Sequence, residues 1–396
     1  MTPQNLTRQF YNQSPYPPPT HSRAMSWRLP PLEWILSLDR EGAPRPRRAL
    51  VAGCGTGSEA FLLQRALKAT EIVAVDFSAR SIREAKKAQA GSSSLKRIRF
   101  MEADLADSGF PRKVGGEFDL IVCHGVLTYI PRPALTLRHL AQCLRPDGVL
   151  YLGVNGADHF SANLRPVLAS LGFDTAVLPP QERWRDLIKM WEAVEGGAQS
   201  GRVTRLPNWY LGGDLFGPLF HNLSLREWVG IFRQAGLFLR GSFGAHRALR
   251  PMVASGATRL FLSCPRGKMC ELLDLMHPAS FHQLLLTREP TAPPPWEDAA
   301  KLSAWRPAPT GLYRVSYPRQ IRRKDSRPVI VLKSRALSTQ FEWPMPRWEA
   351  ELLRRCDGAK PIRQLLREIG QGAPAAELGE QLFLLWQFGA FNLFPP

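Results

Sequence analysis

Three glycines, two carboxylates and a histidine are spaced in the first third of the chain as a nucleoside-binding site would need them. Gly53, Gly55 and Gly57 stand in VAGCGTGSE at 51–59. Glycines between a strand and a helix let the backbone turn tightly and approach a ligand closely. Their spacing is G-x-G-x-G. A dinucleotide fingerprint would need its third glycine at 58, where Ser58 stands. No phosphate-cradling lysine follows, which excludes a P-loop. Asp76 ends EIVAVD about 20 residues further on, where a carboxylate accepts hydrogen bonds from both hydroxyls of a ribose. Asp104 ends IRFMEAD, where a polar side chain reaches an adenine amino group, and His124 closes FDLIVCHG on the reaction side of the same crevice.

The elements that must position these residues are legible in the hydrophobic pattern. RALVAG, EIVAVD, IRFMEAD, FDLIVCHG and GVLYLGVN are nearly continuous apolar runs, read as strands. EAFLLQRAL, SIREAKKAQ and LTLRHLAQCL carry helical spacing between them. Strands that are apolar on both faces and alternate with helices predict an α/β fold with a parallel sheet covered on both sides. In such sheets ligands bind outside the carboxyl ends of the strands, where every residue named above falls.

Together these pieces resemble the core of the class I, Rossmann-like, S-adenosylmethionine-dependent methyltransferases over residues 47–155. VAGCGTG matches the first motif, VAVDFS the acidic second strand, EADLAD the adenine-contacting turn, FDLIVCHGVLTYI the fourth strand and LRPDGVLYLG the fifth. The resemblance implies S-adenosylmethionine as cofactor. It would be held by Gly53, Cys54, Gly55, Thr56 and Gly57 in the loop and by Asp76, Phe77 and Ser78 after the second strand. Asp104 and Leu105 would lie at the adenine, His124 and Gly125 at the fourth strand. One departure is Val51, two places before the first glycine, where the family often has an acid. This leaves the methionine ammonium to Glu59 or to a backbone carbonyl. The opening FYNQSPYPPPTH is similar to that of a bacterial group that includes outer-membrane-protein lysine methyltransferases. That likeness implies a helical insertion and a C-terminal winged-helix-like domain.

The domain reading follows. Residues 1–46 form a Pro-rich extended arm or lid and a first helix, LEWILSL. Residues 47–265 form the methyltransferase domain, interrupted by a helical insertion at about 157–222 and completed as a seven-stranded sheet by LFLRGSF and TRLFLSC. A helical linker, with helix over 268–290, spans 266–309. Short strands and three helices over 310–396 suggest the winged-helix-like domain.

Methyl transfer is an in-line displacement whose electrophile the cofactor supplies, so the protein chiefly positions and desolvates the reactants. His124, Tyr129 and Tyr11 are the catalytic candidates at the acceptor pocket, with Tyr16, Tyr210, Trp209 and His221 as further lining. An acceptor nucleophile, N or O, follows. A protein lysine is the first reading, a small molecule the second, and RNA or a non-catalytic cofactor-binding scaffold the weakest. Cys264 and Cys270 with His277 and His282 match no zinc spacing, so no metal is expected.

Lys and Arg exceed Asp and Glu to give a formal charge of +18. That excess draws acidic partners, nucleic acid among them, yet no RNA-reading aromatic pattern accompanies it. The basic run over 319–335 is a phosphate-binding candidate or a solvated wing. The aromatic tail from Trp386 to Phe394 packs the terminal domain or a homodimer contact. Six cysteines without a CxxC pair fit a reducing cytoplasm. No apolar run is long enough to span a membrane.

Overall fold

A computed structural model describes residues 2–18, 29–42, 45–92, 95–173, 181–195, 203–243, 261–262, 264–311, 313–316, 329–334, 340–344, 347–370, 375–387 and 389–396. Helix α1 (Pro3–Gln13) and α2 (Leu32–Ser37) come first. An alternating series follows: β1 (Arg48–Ala52), α3 (Ser58–Ala66), β2 (Glu71–Asp76), α4 (Ala79–Ala90), β3 (Ile98–Glu102), α5 (Phe110–Val114), β4 (Phe118–His124), α6 (Pro133–Cys143) and β5 (Leu144–Asn155). Next stand α7 (Phe160–Ser170), α8 (Gln181–Glu195), α9 (Asn208–Phe216), α10 (Leu225–Gln234), β6 (Phe238–Ser242), α11 (Arg266–Met276) and β7 (Phe281–Thr287). The remainder is α12 (Ala299–Leu302), β8 (Arg306–Pro309), β9 (Tyr313–Ser316), β10 (Val329–Ser334), β11 (Gln340–Pro344), α13 (Arg347–Arg355), α14 (Ile362–Ile369), α15 (Ala375–Gln387) and β12 (Phe391–Phe394).

The strands form a seven-stranded sheet of order β3-β2-β1-β4-β5-β7-β6. Strands β3, β2, β1, β4 and β5 run parallel, and β7 pairs antiparallel with β5. Strands β1 and β2 are buried at every residue after the first, which explains their unbroken apolar runs. Strand order reverses between β1 and β4, so the loops after these strands flank a crevice at the sheet's carboxyl edge.

The chain divides into two compact units, one of Met1–Arg28, Arg45–Phe238 and Asp274–Arg288, the other of Leu29–Pro44, Leu239–Leu273 and Glu289–Pro396. Within the first, α7, α8 and α9 of the insertion share a core of Leu164, Leu168, Trp184, Ile188, Leu211, Leu215 and Phe216. Phe10 of α1 joins that core. Within the second, β9, β10 and β11 form a three-stranded antiparallel sheet and β8 pairs with β12. Trp296, Trp348, Leu382, Phe383, Trp386 and Phe391 belong to one apolar core there. The buried Arg266 forms an ion pair with the buried Asp39 and lies 3.9 Å over the Trp386 ring.

Three expectations are corrected. The arm is not extended from its start: α1 is a helix, capped by the Thr2 side chain with Pro3 in its first turn. Proline is tolerated there because its missing N–H is unpaired anyway, and Pro15 and Pro17 fall after the helix has ended. The helix expected over 268–290 ends at Met276, and FHQLLLT becomes β7. This strand, not TRLFLSC, completes the sheet beside β6. Of TRLFLSC, Phe261 and Leu262 lie in a turn, and 258–260 and 263 lie outside the described residues. So do the Gly-rich 196–202 and most of the basic run over 319–335, whose VIVLK segment is within β10.

Candidate active site

The loop between β1 and α3 is built on backbone hydrogen bonds. The Gly53 and Cys54 amides both donate to the Val75 carbonyl at 2.8 Å. The Gly55 amide donates to Asp76 Oδ2 at 2.9 Å, and the Ser78 amide to Asp76 Oδ1 at 2.8 Å. Asp76 is therefore locked at the end of β2, facing the loop that β1 supplies. Burial pushes its carboxyl up to about 6, against the pull of the amides of Ser78, Gly55 and Phe77. Three amides on two carboxylate oxygens leave lone-pair capacity beside them.

The N-terminal segment closes over this loop. Tyr16 accepts the Thr56 amide at 3.3 Å, and Pro17 accepts the Thr56 hydroxyl at 2.7 Å. A side chain at Gly55, whose φ is +52°, would collide with the Tyr16 carbonyl. Further back, Gln4 Nε2 and Arg8 donate to Asp104 Oδ2 at 2.6 and 2.8 Å, while the Ala106 amide holds Oδ1. Asn12 bonds the Ser78 hydroxyl at 2.8 Å. Helix α1 thus touches the ends of both β2 and β3.

The other end of the crevice is aromatic. His124 Nδ1 lies 2.8 Å from the Tyr151 hydroxyl, and Gln283 Nε2 donates to that hydroxyl at 3.1 Å. The Tyr151 hydroxyl is thus shared by His124 and Gln283. Tyr129, in a short turn after β4, donates to Asp214 of α9. Tyr11 lies 6.3 Å from Tyr129, centroid to centroid, and Tyr16 lies 6.4 Å from Tyr210. Burial first, then the charge of Asp214, holds the Tyr11 and Tyr129 phenols well above their ordinary range, so both are hydrogen-bond donors at neutral pH.

All of this lines one cavity of about 370 Å³ within the first unit. That volume suits a drug-sized ligand. Of the expected cofactor residues, Gly53, Cys54, Gly55, Asp76, Phe77, Asp104, Leu105, His124 and Gly125 line it. So do the catalytic candidates Tyr11 and Tyr129, together with Tyr16 and Tyr210. Thr56, Gly57 and Ser78 are not among the lining residues. Thr56 is turned to Pro17, Gly57 packs under Phe61 and Phe100, and Ser78 caps α4 while bonding Asn12. His221 is likewise directed elsewhere, to the Ile130 carbonyl, and the Trp209 ring lies 5.5 Å from that of Tyr16, tilted by 60°. Among the described residues no group of His, Cys, Asp or Glu could hold a metal.

Among the lining residues that were not anticipated, four are Gln4, Asn155, Asp214 and Gln283. Asp214 stands as a lone acid in the apolar stretch LGGDLFGPLF, which is the one signal that could have singled it out. Glu59 also lines the cavity, accepting the Ser58 hydroxyl at 2.8 Å.

Residues 50–150 match the family model described as a methyltransferase domain. Malonyl-[acyl-carrier protein] O-methyltransferase of Halalkalibacterium halodurans is 30% identical over 124 residues, covering 31% of this chain and 44% of that one. Trans-aconitate 2-methyltransferase of Deinococcus radiodurans is 31% identical over 118 residues, covering 30% and 41%. The chain therefore spans less than half the length of either relative. PKMT2 from Rickettsia typhi, solved in complex with AdoHcy, shares the fold with a TM-score of 0.55 and 16% identity over 96% of this chain and 76% of that one. The chain carries an S-adenosylmethionine-dependent methyltransferase domain of the Rossmann-like class.

Proposed function

We propose that a chain built on this methyltransferase domain transfers the methyl group of S-adenosylmethionine to a nitrogen or oxygen nucleophile, with a protein lysine as the first acceptor reading. The single observation that carries the proposal is the continuity of the cavity. It runs from the glycine loop and Asp76 to an aromatic, acid-bearing wall supplied by the insertion and the N-terminal segment. Asp76 accepts the two ribose hydroxyls with the oxygen capacity left beside the Gly55 and Ser78 amides. Asp104 meets the adenine amino group while shared with Gln4 and Arg8. Glu59 supplies the negative charge missing at Val51. The bound cofactor supplies the activated methyl group. His124, Tyr129 and Tyr11 line the acceptor side, Tyr11 with its phenol as a donor, and closure of the segment over Thr56 keeps water from the reactants.

The second reading, a small-molecule acceptor, is favoured by the relative named for trans-aconitate. In either reading the protein works in the cytoplasm and carries a C-terminal winged-helix-like domain. The described residues contain no helix long and apolar enough to cross a membrane. The four short strands and three helices among the described residues after 310 support the domain reading.

Calorimetric titration with S-adenosylmethionine and S-adenosylhomocysteine tests the cofactor. Micromolar binding of both is expected, and binding of neither sinks the proposal. Labelled methyl recovered in acid-precipitable material then marks a protein acceptor. Label removed by ribonuclease, with steep salt dependence, marks RNA instead.

A further inference from the structure

We infer that the side-chain carbonyl of Asn155 binds the hydrogen on the methyl acceptor's nucleophilic atom, so that the acceptor group is an amine or a hydroxyl and not a carboxylate; the inference rests on the methyltransferase reading and narrows its substrate class. Asn155 closes β5, is 2% exposed and lines the cavity. Its backbone is pinned on both sides. The amide donates to Thr128 Oγ1 at 3.0 Å, and the carbonyl accepts Trp228 Nε1 at 2.9 Å. Its side chain ends a chain of polar groups. Nδ2 donates to Asn222 Oδ1 at 3.1 Å, Asn222 Nδ2 donates to the Ser161 hydroxyl at 3.1 Å, and that hydroxyl lies 2.7 Å from His159 Nδ1.

The far end of this chain fixes which way both amides face. His159 caps α7, and the Ser161 backbone N–H donates to its Nδ1. A backbone amide nitrogen only donates, so Nδ1 carries no hydrogen. The Ser161 hydroxyl beside it therefore gives its proton to Nδ1 and offers lone pairs to Asn222. Asn222 meets them with Nδ2, which turns its Oδ1 to Asn155, and Asn155 meets that oxygen with its own Nδ2. Asn155 Oδ1 accepts nothing from the described residues and is not among their sealed, unpaired atoms, so it is the atom presented to the cavity.

Position and chemistry then name its ligand. In strand order β5 lies two places from β1, roughly 10 Å, on the side away from Asp76 on β2 and Asp104 after β3. A nucleoside held by those two acids leaves Asn155 to the acceptor. A buried amide oxygen takes an N–H or O–H and loses a hydrogen bond when none is offered. A nucleophile whose hydrogen is held there keeps its lone pair in another direction, free to meet the methyl group. A carboxylate brings only lone pairs to the same oxygen. The neutral amide takes no proton, so its part is orientation.

The test uses benzyl alcohol and anisole, neutral isomers that differ in whether the oxygen carries a hydrogen; neutrality keeps the acids of the cavity out of the comparison. Each is titrated into the protein with and without S-adenosylhomocysteine, and NMR reads the affinity and the shifts of the Asn155 side-chain amide. With S-adenosylhomocysteine bound, the alcohol should move those signals and bind roughly tenfold more tightly than the ether. Asn155→Leu should abolish the preference. Equal affinities, an alcohol that leaves Asn155 unmoved, or a preference that survives Asn155→Leu overturns the inference. An alcohol that reaches Asn155 only without S-adenosylhomocysteine gives the atom to the cofactor and overturns it as well. The arms that use the unaltered protein stand even if the Leu variant misfolds. A protein that shows the preference but binds no S-adenosylhomocysteine keeps the Asn155 site and loses the cofactor reading instead.

Discussion

Asp76 couples the site to pH. Its carboxyl titrates at about 6 because burial outweighs the amides that hold it. A raised carboxyl is ionised above its pKa and protonated below it, so the form that accepts ribose hydroxyls is lost as pH falls. Affinity for S-adenosylhomocysteine should drop roughly tenfold between about pH 7.5 and about pH 5. Asp76→Asn should bind weakly at both, with no pH slope. A slope that persists in the Asn variant would assign the titration to another group. Tyr151 sets a second residue-scale property. Tyr151→Phe removes the hydroxyl that His124 Nδ1 meets. The ¹⁵N shifts of His124 should differ between the unaltered protein and the variant; identical spectra would refute a hydrogen bond between them.

At the scale of elements, the N-terminal segment and the glycine loop act as one piece. Gly55→Ala puts a methyl against the Tyr16 carbonyl in a left-handed backbone conformation. It should loosen the segment, expose the Thr56 amide to exchange, and weaken S-adenosylhomocysteine binding about tenfold or more. Unchanged Thr56 protection would mean that the contact with Tyr16 is incidental.

The parallel strands were readable because burial on both faces leaves runs such as LIVC in β4 no room for polar residues. Strand β7 was not, because KMCELLDLM and LLL share helical spacing across Pro278, the residue that marks the stop two places past α11. Gln283 was lost with it. Helix α1 was hidden by prolines that in fact only end it. Asp214 lay in a stretch with no recognised pattern. The site was therefore legible at the parallel strands and at the aromatics Tyr11, Tyr16 and Tyr210, and illegible at the polar residues Gln4, Asp214 and Gln283 that α1, α9 and β7 bring in from a distance.

At the scale of the molecule, the two units meet different physical demands. The second holds Glu349 on α13 fully buried, with neither carboxylate oxygen hydrogen-bonded. Burial raises its pKa well above the ordinary value. The folded state thus binds this proton more tightly than the unfolded state, so the associated stability is present below the unfolded pKa and is lost as pH rises. Glu349→Gln should raise the melting temperature near neutral pH by roughly 4–8 °C, for about 2 kcal/mol. The gain should shrink towards zero near pH 4. An equal gain at both pH values would point to packing instead of charge.

The same unit joins segments that are far apart in time as well as in sequence. Asn392 accepts the Asp39 amide at 2.8 Å and donates to the Ser37 carbonyl at 2.7 Å, and its own strand, β12, pairs with β8. A ribosome adding about 5–20 residues per second makes Ser37 roughly 20–70 seconds before Asn392 emerges. For that interval Trp34 and Ile35, 2% and 0% exposed in the finished protein, lack part of their eventual surroundings. Stalled nascent chains that stop short of residue 391 should be cut by protease near α2 and bind a holding chaperone there, and release of the full chain should end both.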